Sequence, residues 1–122
     1  MKVVTWLAAG LATSALFGSL GCKSSSNQYM CRARQAEAKA SLASLHGAQS
    51  SYFATNKKYA GSLKDLAAPA VPPRYYELAI ASASDKGYVA TATGKDQAAG
   101  DVWTIDQSGK PTAKVDKCEA KP

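Results

Sequence analysis

Residues 27–56 read NQYMCRARQAEAKASLASLHGAQSSYFATN, and the way this stretch folds decides the rest. It holds no proline, and Ala, Gln, Glu, Lys, Arg and Leu dominate its first two thirds. These side chains lose little on entering a helix. Leu42, Leu45, Ala48, Tyr52 and Phe53 recur at helical spacing and form one apolar stripe, whereas Arg34, Glu37, Lys39 and Ser41 fall largely outside it. The pattern predicts a helix over 27–56, capped by Ser26 or Asn27 and ended at Asn56. Thirty helical residues are about 45 Å long. Gly47 interrupts the stripe at a cost of about 1 kcal/mol relative to alanine. It is therefore expected to admit a strand closely or to mark a slight bend.

The chain after the helix changes character. Residues 57–77, KKYAGSLKDLAAPAVPPRYYE, form a connection with one helical turn at Ser62–Leu66, and Pro69, Pro72 and Pro73 oppose both helix and sheet. Strands are expected at Tyr75–Ala83, Gly87–Thr93 and Asp101–Asp106, with a return strand near Thr112–Val115. SDKG at 84–87 and QSGK at 107–110 are the turns. Sequential turns favour an antiparallel meander with one face on the helix. The expected class is α+β: a long N-terminal helix packed on a three- to four-stranded antiparallel sheet.

The chain has 122 residues, which suits a single domain. Hydrophobic residues make up 46%, but many are alanine, so the core must be small. Fifteen Lys and Arg against nine Asp and Glu give a net charge of +6. These cations are spread along the sequence without an aromatic-rich basic cluster, which reads as a solvated surface. Nucleic acid is accordingly not expected as a partner. The competing reading is a DNA- or polysaccharide-binding module that uses the basic surface and weakens steeply with salt.

The N-terminus, MKVVTWLAAGLATSALFGSLGC, places Lys2 before a run from Val3 to Leu20 that carries no charge. Gly10, Thr13, Ser14, Gly18 and Ser19 dilute the run, as in an export signal, although its length also suits a membrane anchor. Gly21-Cys22 resembles a bacterial lipobox, with Ser19 and Leu20 in reversed order relative to the usual pattern. The domains read as a signal peptide or anchor at 1–21, a polar tether at 22–28 and a folded domain at 29–122. Cleavage before Cys22 removes Lys2 and leaves a charge of +5. Lipidation of Cys22 would leave Cys31 and Cys118 as an even pair, the natural disulfide of an exported domain. Such a bond closes a loop of 87 residues, for which the chain-entropy model assigns about 4.5 kcal/mol as an upper figure. Two unpaired thiols are the alternative.

Residues 32–66, RARQAEAKASLASLHGAQSSYFATNKKYAGSLKDL, resemble the type IV pilin and type II secretion pseudopilin family. The likeness is carried by Glu37-Ala38-Lys39, Leu42, Ala48-Gln49, Tyr52-Phe53, Tyr59, and Leu63 with Leu66, and DVWTIDQSGK at 101–110 is similar to the family's final hairpin. The resemblance implies a pilin-like head and partners among pilus or secretion-system proteins. The N-terminus departs from the family: no acidic residue precedes Glu37, and the apolar segment lies before the cleavage point instead of after it. The expectation is a bacterial cell-envelope protein, lipid-anchored on the periplasmic or outer surface or alternatively anchored in the inner membrane. Its role would be binding or assembly. The alternative is a true minor pilin or pseudopilin that enters filaments with a non-standard leader.

No catalytic motif, phosphate loop or paired-cysteine zinc pattern is present, so no enzyme activity, cofactor or small-molecule substrate is expected. His46 is the only histidine and reads as structural. No metal site is expected. Asp96, Asp101 and Asp106 are the candidates for a calcium site of the kind some pseudopilins carry, but alanines and glycines interrupt them. Trp103, Tyr75, Tyr76 and Tyr88 read as packing residues more readily than as a recognition surface.

Overall fold

The computed structural model describes residues 17–67 and 73–119, with side chains from residue 27 onward. The signal or anchor reading of 1–21 lies mostly outside these residues, as do Pro69, Pro72 and the side chain of Cys22. Two compact units divide at Met30: Met1–Met30 and Cys31–Pro122. In the first, Tyr29 and Met30 are exposed. The second carries the sheet and is called the head below.

Helix α1 spans Phe17–Asn56 and starts ten residues before the expected cap. Extending a helix adds a hydrogen bond for each residue fixed, whereas starting one is costly. The serines at 24–26 therefore do not end a helix already running, and residues 22–28, read as a polar tether, have helical backbone. Among the described residues no helix is long and apolar enough to cross a membrane.

The sheet is a meander of β1 (Tyr76–Ala83), β2 (Tyr88–Gly94), β3 (Val102–Asp106) and β4 (Thr112–Val115), all antiparallel, in the order β1-β2-β3-β4. The α+β class is thus as expected, and the fourth strand is present. Register sets the inner face. Leu78 pairs with Ala92, which pairs with Trp103, which pairs with Ala113. The next row toward the turns is Ile80, Ala90 and Ile105. Alanine in the middle of both rows lets larger neighbours interdigitate beneath the helix. The helix contributes Ala38, Leu42 and Leu45, all fully buried.

The buried stripe of α1 differs from the expected one. It runs Gln35, Ala38, Leu42, Leu45, Gln49, at steps of three and four, while Ala48, Tyr52 and Phe53 are only partly buried. Both glutamines bury because both are satisfied. Gln49 Nε2 donates to the Ala60 carbonyl at 2.9 Å, and its Oε1 accepts from the Ala60 N–H at 2.8 Å. One side chain thereby fixes the start of the connection against the helix, and the buried amide of Gln49 and the backbone groups of Ala60 satisfy each other.

The close strand approach offered as one reading of Gly47 is absent. A Cβ there would meet nothing within 4 Å, so no strand approaches it. At Gly94 the reverse holds: a Cβ would collide with the Ala98 carbonyl oxygen, and the Gly94 N–H donates to the Asp101 carbonyl at 2.7 Å. We expect Gly47→Ala to stabilise the head by about 0.5–1 kcal/mol. That is a rise of several degrees in a thermal melt, on the order of 4–8 °C per kcal/mol. Gly94→Ala is expected to lower the melting temperature in the same assay.

Candidate functional site

The two ends of the head are built differently. At the Cys31 end, polar groups converge on the carboxylate of Asp101, which is buried. Its Oδ1 accepts from Gln35 Nε2 at 3.1 Å and from the Lys117 backbone N–H at 2.9 Å. Its Oδ2 accepts from the Tyr76 hydroxyl at 2.6 Å and from Trp103 Nε1 at 2.9 Å. Four donors from α1, β1, β3 and the C-terminal segment thus replace the hydration that burial removes. Burial first, and then the bond to Asp101, raises the Tyr76 phenol well above its ordinary value.

Gln35 extends this network. Its Nε2 also donates to Asp116 Oδ1 at 2.6 Å, and its Oε1 accepts from Arg32 at 3.2 Å. Asp116 additionally accepts from the Cys118 N–H at 2.9 Å and pairs with Arg32 at 3.4 Å. The Gln35 bond, and secondarily Cys118 and Arg32, hold the Asp116 carboxyl below its ordinary 3.8 against the opposing effect of burial. The expected Cys31–Cys118 disulfide is present, with Cα atoms 5.7 Å apart, and it pins the chain end to α1.

The three calcium candidates are not brought together. Asp101 spends both oxygens on protein donors, Asp96 opens a 3-10 turn with φ of 54°, and Asp106 accepts from Ser108 N and Oγ at 2.9 and 2.6 Å. Those Ser108 bonds lower the Asp106 carboxyl from 3.8. Among the described residues no group of three or more His, Cys, Asp or Glu side chains could hold a metal ion.

At the Asn56 end the same logic gathers cations. Asn56 Nδ2 donates to the Tyr52 carbonyl at 3.0 Å. Lys57 then takes φ of 60°, the left-handed position after a helix that glycine usually fills. The Tyr59 N–H donates to the Ser84 carbonyl at 3.0 Å, which sets Lys58 beside the β1–β2 turn. In that turn the Lys86 N–H donates to Ser84 Oγ at 3.1 Å. The rings of Phe53, Tyr59 and Tyr88 follow one another at centroid distances of 4.7 and 5.0 Å.

The β3–β4 turn closes onto the same end. Gln107 Oε1 accepts from the Tyr88 N–H at 3.3 Å. A Cβ at Gly109 would stand 2.8 Å from His46 Nε2, so only glycine lets the turn lie against α1 here. His46 Nδ1 shares a 2.7 Å hydrogen bond with the Tyr88 hydroxyl, the structural role expected of it. Burial, with smaller contributions from Tyr59 and Asp106, pushes the Tyr88 phenol up to about 12.

Four exposed lysines, Lys57, Lys58, Lys86 and Lys110, are thereby carried on one end by three separate segments, alongside Asp85 and Asp106. Sequence reading missed this because the lysines are far apart along the chain. Turn placement was the one available signal, since each lies at or beside an element boundary. The aromatic residues read as packing do pack: Tyr76, Tyr88 and Trp103 are buried, and Tyr75 is half-buried beneath the Arg34 guanidinium at 5.4 Å.

Replacing Asp101 by Asn converts an acceptor-only group into one that confronts donors with its own N–H₂. We expect a loss of about 2–4 kcal/mol in chemical denaturation. The acid limb of stability follows from Asp106 and Asp116. Both have folded-state values below 3.8, so their contribution is present above that value and fades as pH falls through the lowered ones. Melts across pH 2–5 should show this decline, and Asp116→Asn should flatten it.

A protein-family model described as "Type IV minor pilin ComP, DNA uptake sequence receptor" matches residues 24–104, which is 81 of the 122 residues. No curated protein matches the chain. A family described as a DNA receptor removes the ground for excluding nucleic acid as a partner, an exclusion drawn from lysines scattered in sequence that the fold gathers at one end. With its long helix, four-stranded antiparallel meander and matched span, the chain belongs to the type IV minor pilin ComP family.

Proposed function

We propose that this protein is a non-enzymatic, envelope-anchored receptor that binds DNA through the lysine-bearing end of its head. The family gives it a type IV pilus-related role and a place in the cell envelope. The observation that carries the DNA reading is the gathering of Lys57, Lys58, Lys86 and Lys110 by the end of α1, the β1–β2 turn and the β3–β4 turn. Lysines on rigidly tied turns supply the phosphate contacts that position a protein on a duplex. Asp85 and Asp106 on the same end oppose indiscriminate binding, and Asp106 is turned toward Ser108. The position of Lys57 supports the same reading. A non-glycine residue in the left-handed region costs roughly 1–2 kcal/mol, and such strain tends to persist where function holds it.

Anchoring is assigned to the N-terminus, with lipidation at Cys22 after removal of residues 1–21. This reading rests on the uncharged run, on Gly21-Cys22, and on the use that Cys31 and Cys118 make of each other. Mass spectrometry of the protein from native membranes tests it. An N-terminal peptide beginning at acylated Cys22 is expected. A mature chain that retains residues 3–20 without lipid would place the protein among filament subunits instead.

For DNA, binding to a duplex is measured by fluorescence anisotropy over a range of salt. Four phosphate contacts give a slope of log K against log salt of about −3 to −4. Each Lys→Ala change in the cluster should reduce that slope by about one. Lys57→Gly separates binding from folding: it should weaken DNA binding while raising head stability by up to about 1 kcal/mol. A slope indifferent to all four substitutions would overturn the proposal.

A further inference from the structure

The outer face of the sheet carries a shallow cup of about 180 Å³ beside the β3–β4 turn. Val89, Thr104, Asp106, Ser108, Lys110 and Thr112 line it. Strand register explains the gathering. Val89 of β2 pairs with Asp106 of β3, and Thr104 of β3 pairs with Thr112 of β4. All four side chains therefore stand on the face opposite Trp103 and Ile105. The turn then adds Ser108 and Lys110 to the rim. Val89, 38% exposed, supplies the apolar part.

The polar part is rich in acceptors. Ser108 donates its N–H and its hydroxyl to Asp106 Oδ1 at 2.9 and 2.6 Å. These two bonds fix the carboxylate and leave Oδ2 without a donor among the described residues. They also hold the carboxyl below its ordinary value, so it is ionised at neutral pH. Thr112 Oγ1 donates to the Lys110 carbonyl at 3.3 Å, and Thr104 Oγ1 to the Thr112 carbonyl at 3.5 Å. The hydroxyl protons are thus spent within the protein, and their lone pairs remain. Lys110 is the flexible donor of the cup, and its charge balances that of Asp106.

We infer that Asp106 and Val89 read a cytosine edge in the major groove of bound DNA. The inference rests on the DNA reading above and names its sequence-reading group. An ionised carboxylate only accepts, so it is repelled by phosphates and by the acceptor atoms that guanine and thymine present in the groove. Cytosine and adenine each present one amine there. Beside the cytosine amine lies an apolar C–H, whereas beside the adenine amine lies the acceptor N7. The cup offers the order that matches cytosine, with a valine next to a carboxylate on neighbouring strands. The major groove admits a two-stranded β-ribbon, and β3–β4 with its turn is such a ribbon. Lys110 joins the cup to the lysine cluster, so one turn carries both a phosphate contact and a base contact.

The test is a selection from a randomised duplex library by the full chain in detergent, followed by sequencing of the retained DNA. The protein is expected to enrich cytosine over thymine about tenfold at one position. Asp106→Asn adds an N–H₂ donor, so guanine and thymine should be retained there as well. Asp106→Ala should retain all four bases alike. Val89→Thr keeps the side-chain shape and adds a hydroxyl that can donate to N7, so it should admit adenine. Asp106 and Val89 lie outside the core, and an unchanged slope of log K against log salt shows the lysine end intact in each variant. Enrichment that both Asp106 variants leave unchanged overturns the inference, as does a retained pool without cytosine enrichment. An equal rise in affinity for every sequence also overturns it, since Asp106 is then a repelling charge only. The receptor reading fails separately, by retention that the four lysine substitutions do not weaken.

Discussion

The head depends on one buried carboxylate. Asp101 sits where α1, the sheet and the chain terminus meet, and each of its four partners comes from a different place in the sequence. A charge in a small apolar interior is tolerated only when its hydration is replaced, and replacing it requires all four segments to be in place. The apolar core alone would specify the fold loosely, since much of it is alanine. The carboxylate supplies directional bonds that side-chain packing of this size cannot. Its neighbours reinforce it: Gln35 bridges Asp101 to Asp116, and the disulfide holds the segment from which the Lys117 amide donates.

The opposite end follows a different logic. There the anchor is Gln49, which turns the chain back after the helix, and the ring series Phe53, Tyr59 and Tyr88 fills the space between helix, connection and sheet. These groups bury the apolar side of each connection, so its charged residues face solvent. Cations then accumulate on that end as a consequence of turn geometry. An end built from three turns is also where residues can change without disturbing the core.

The same division explains which expectations failed. Gly47 was expected either to admit a strand closely or to mark a slight bend; it faces open space, and the close approach occurs at Gly94 and Gly109. Periodicity alone cannot tell which side of a glycine is crowded. The apolar stripe was placed too far toward Tyr52 and Phe53 because glutamines do not register as buried residues in a hydrophobic pattern. Gln35 and Gln49 bury only because partners 66 and 11 residues away satisfy them. The helix start was misplaced because a cap signal at Ser26 and Asn27 carries no weight within a helix already propagating from Phe17.

The sequence by itself determined the long helix and a meander of three to four strands with its turns, and it offered Cys31 with Cys118 as a pair once Cys22 is set aside for lipid. These rest on local propensity, alternation and turn chemistry, which act over a few residues, and on cysteine parity. Tertiary structure decided the rest. It made Asp101 a hydrogen-bond hub instead of a calcium ligand, left the Arg34 Nε–H without an acceptor among the described residues, and brought lysines from positions 57, 58, 86 and 110 to one end. Each of these depends on which groups meet across the fold, and linear spacing does not encode such meetings until helix, sheet and turns have closed on one another.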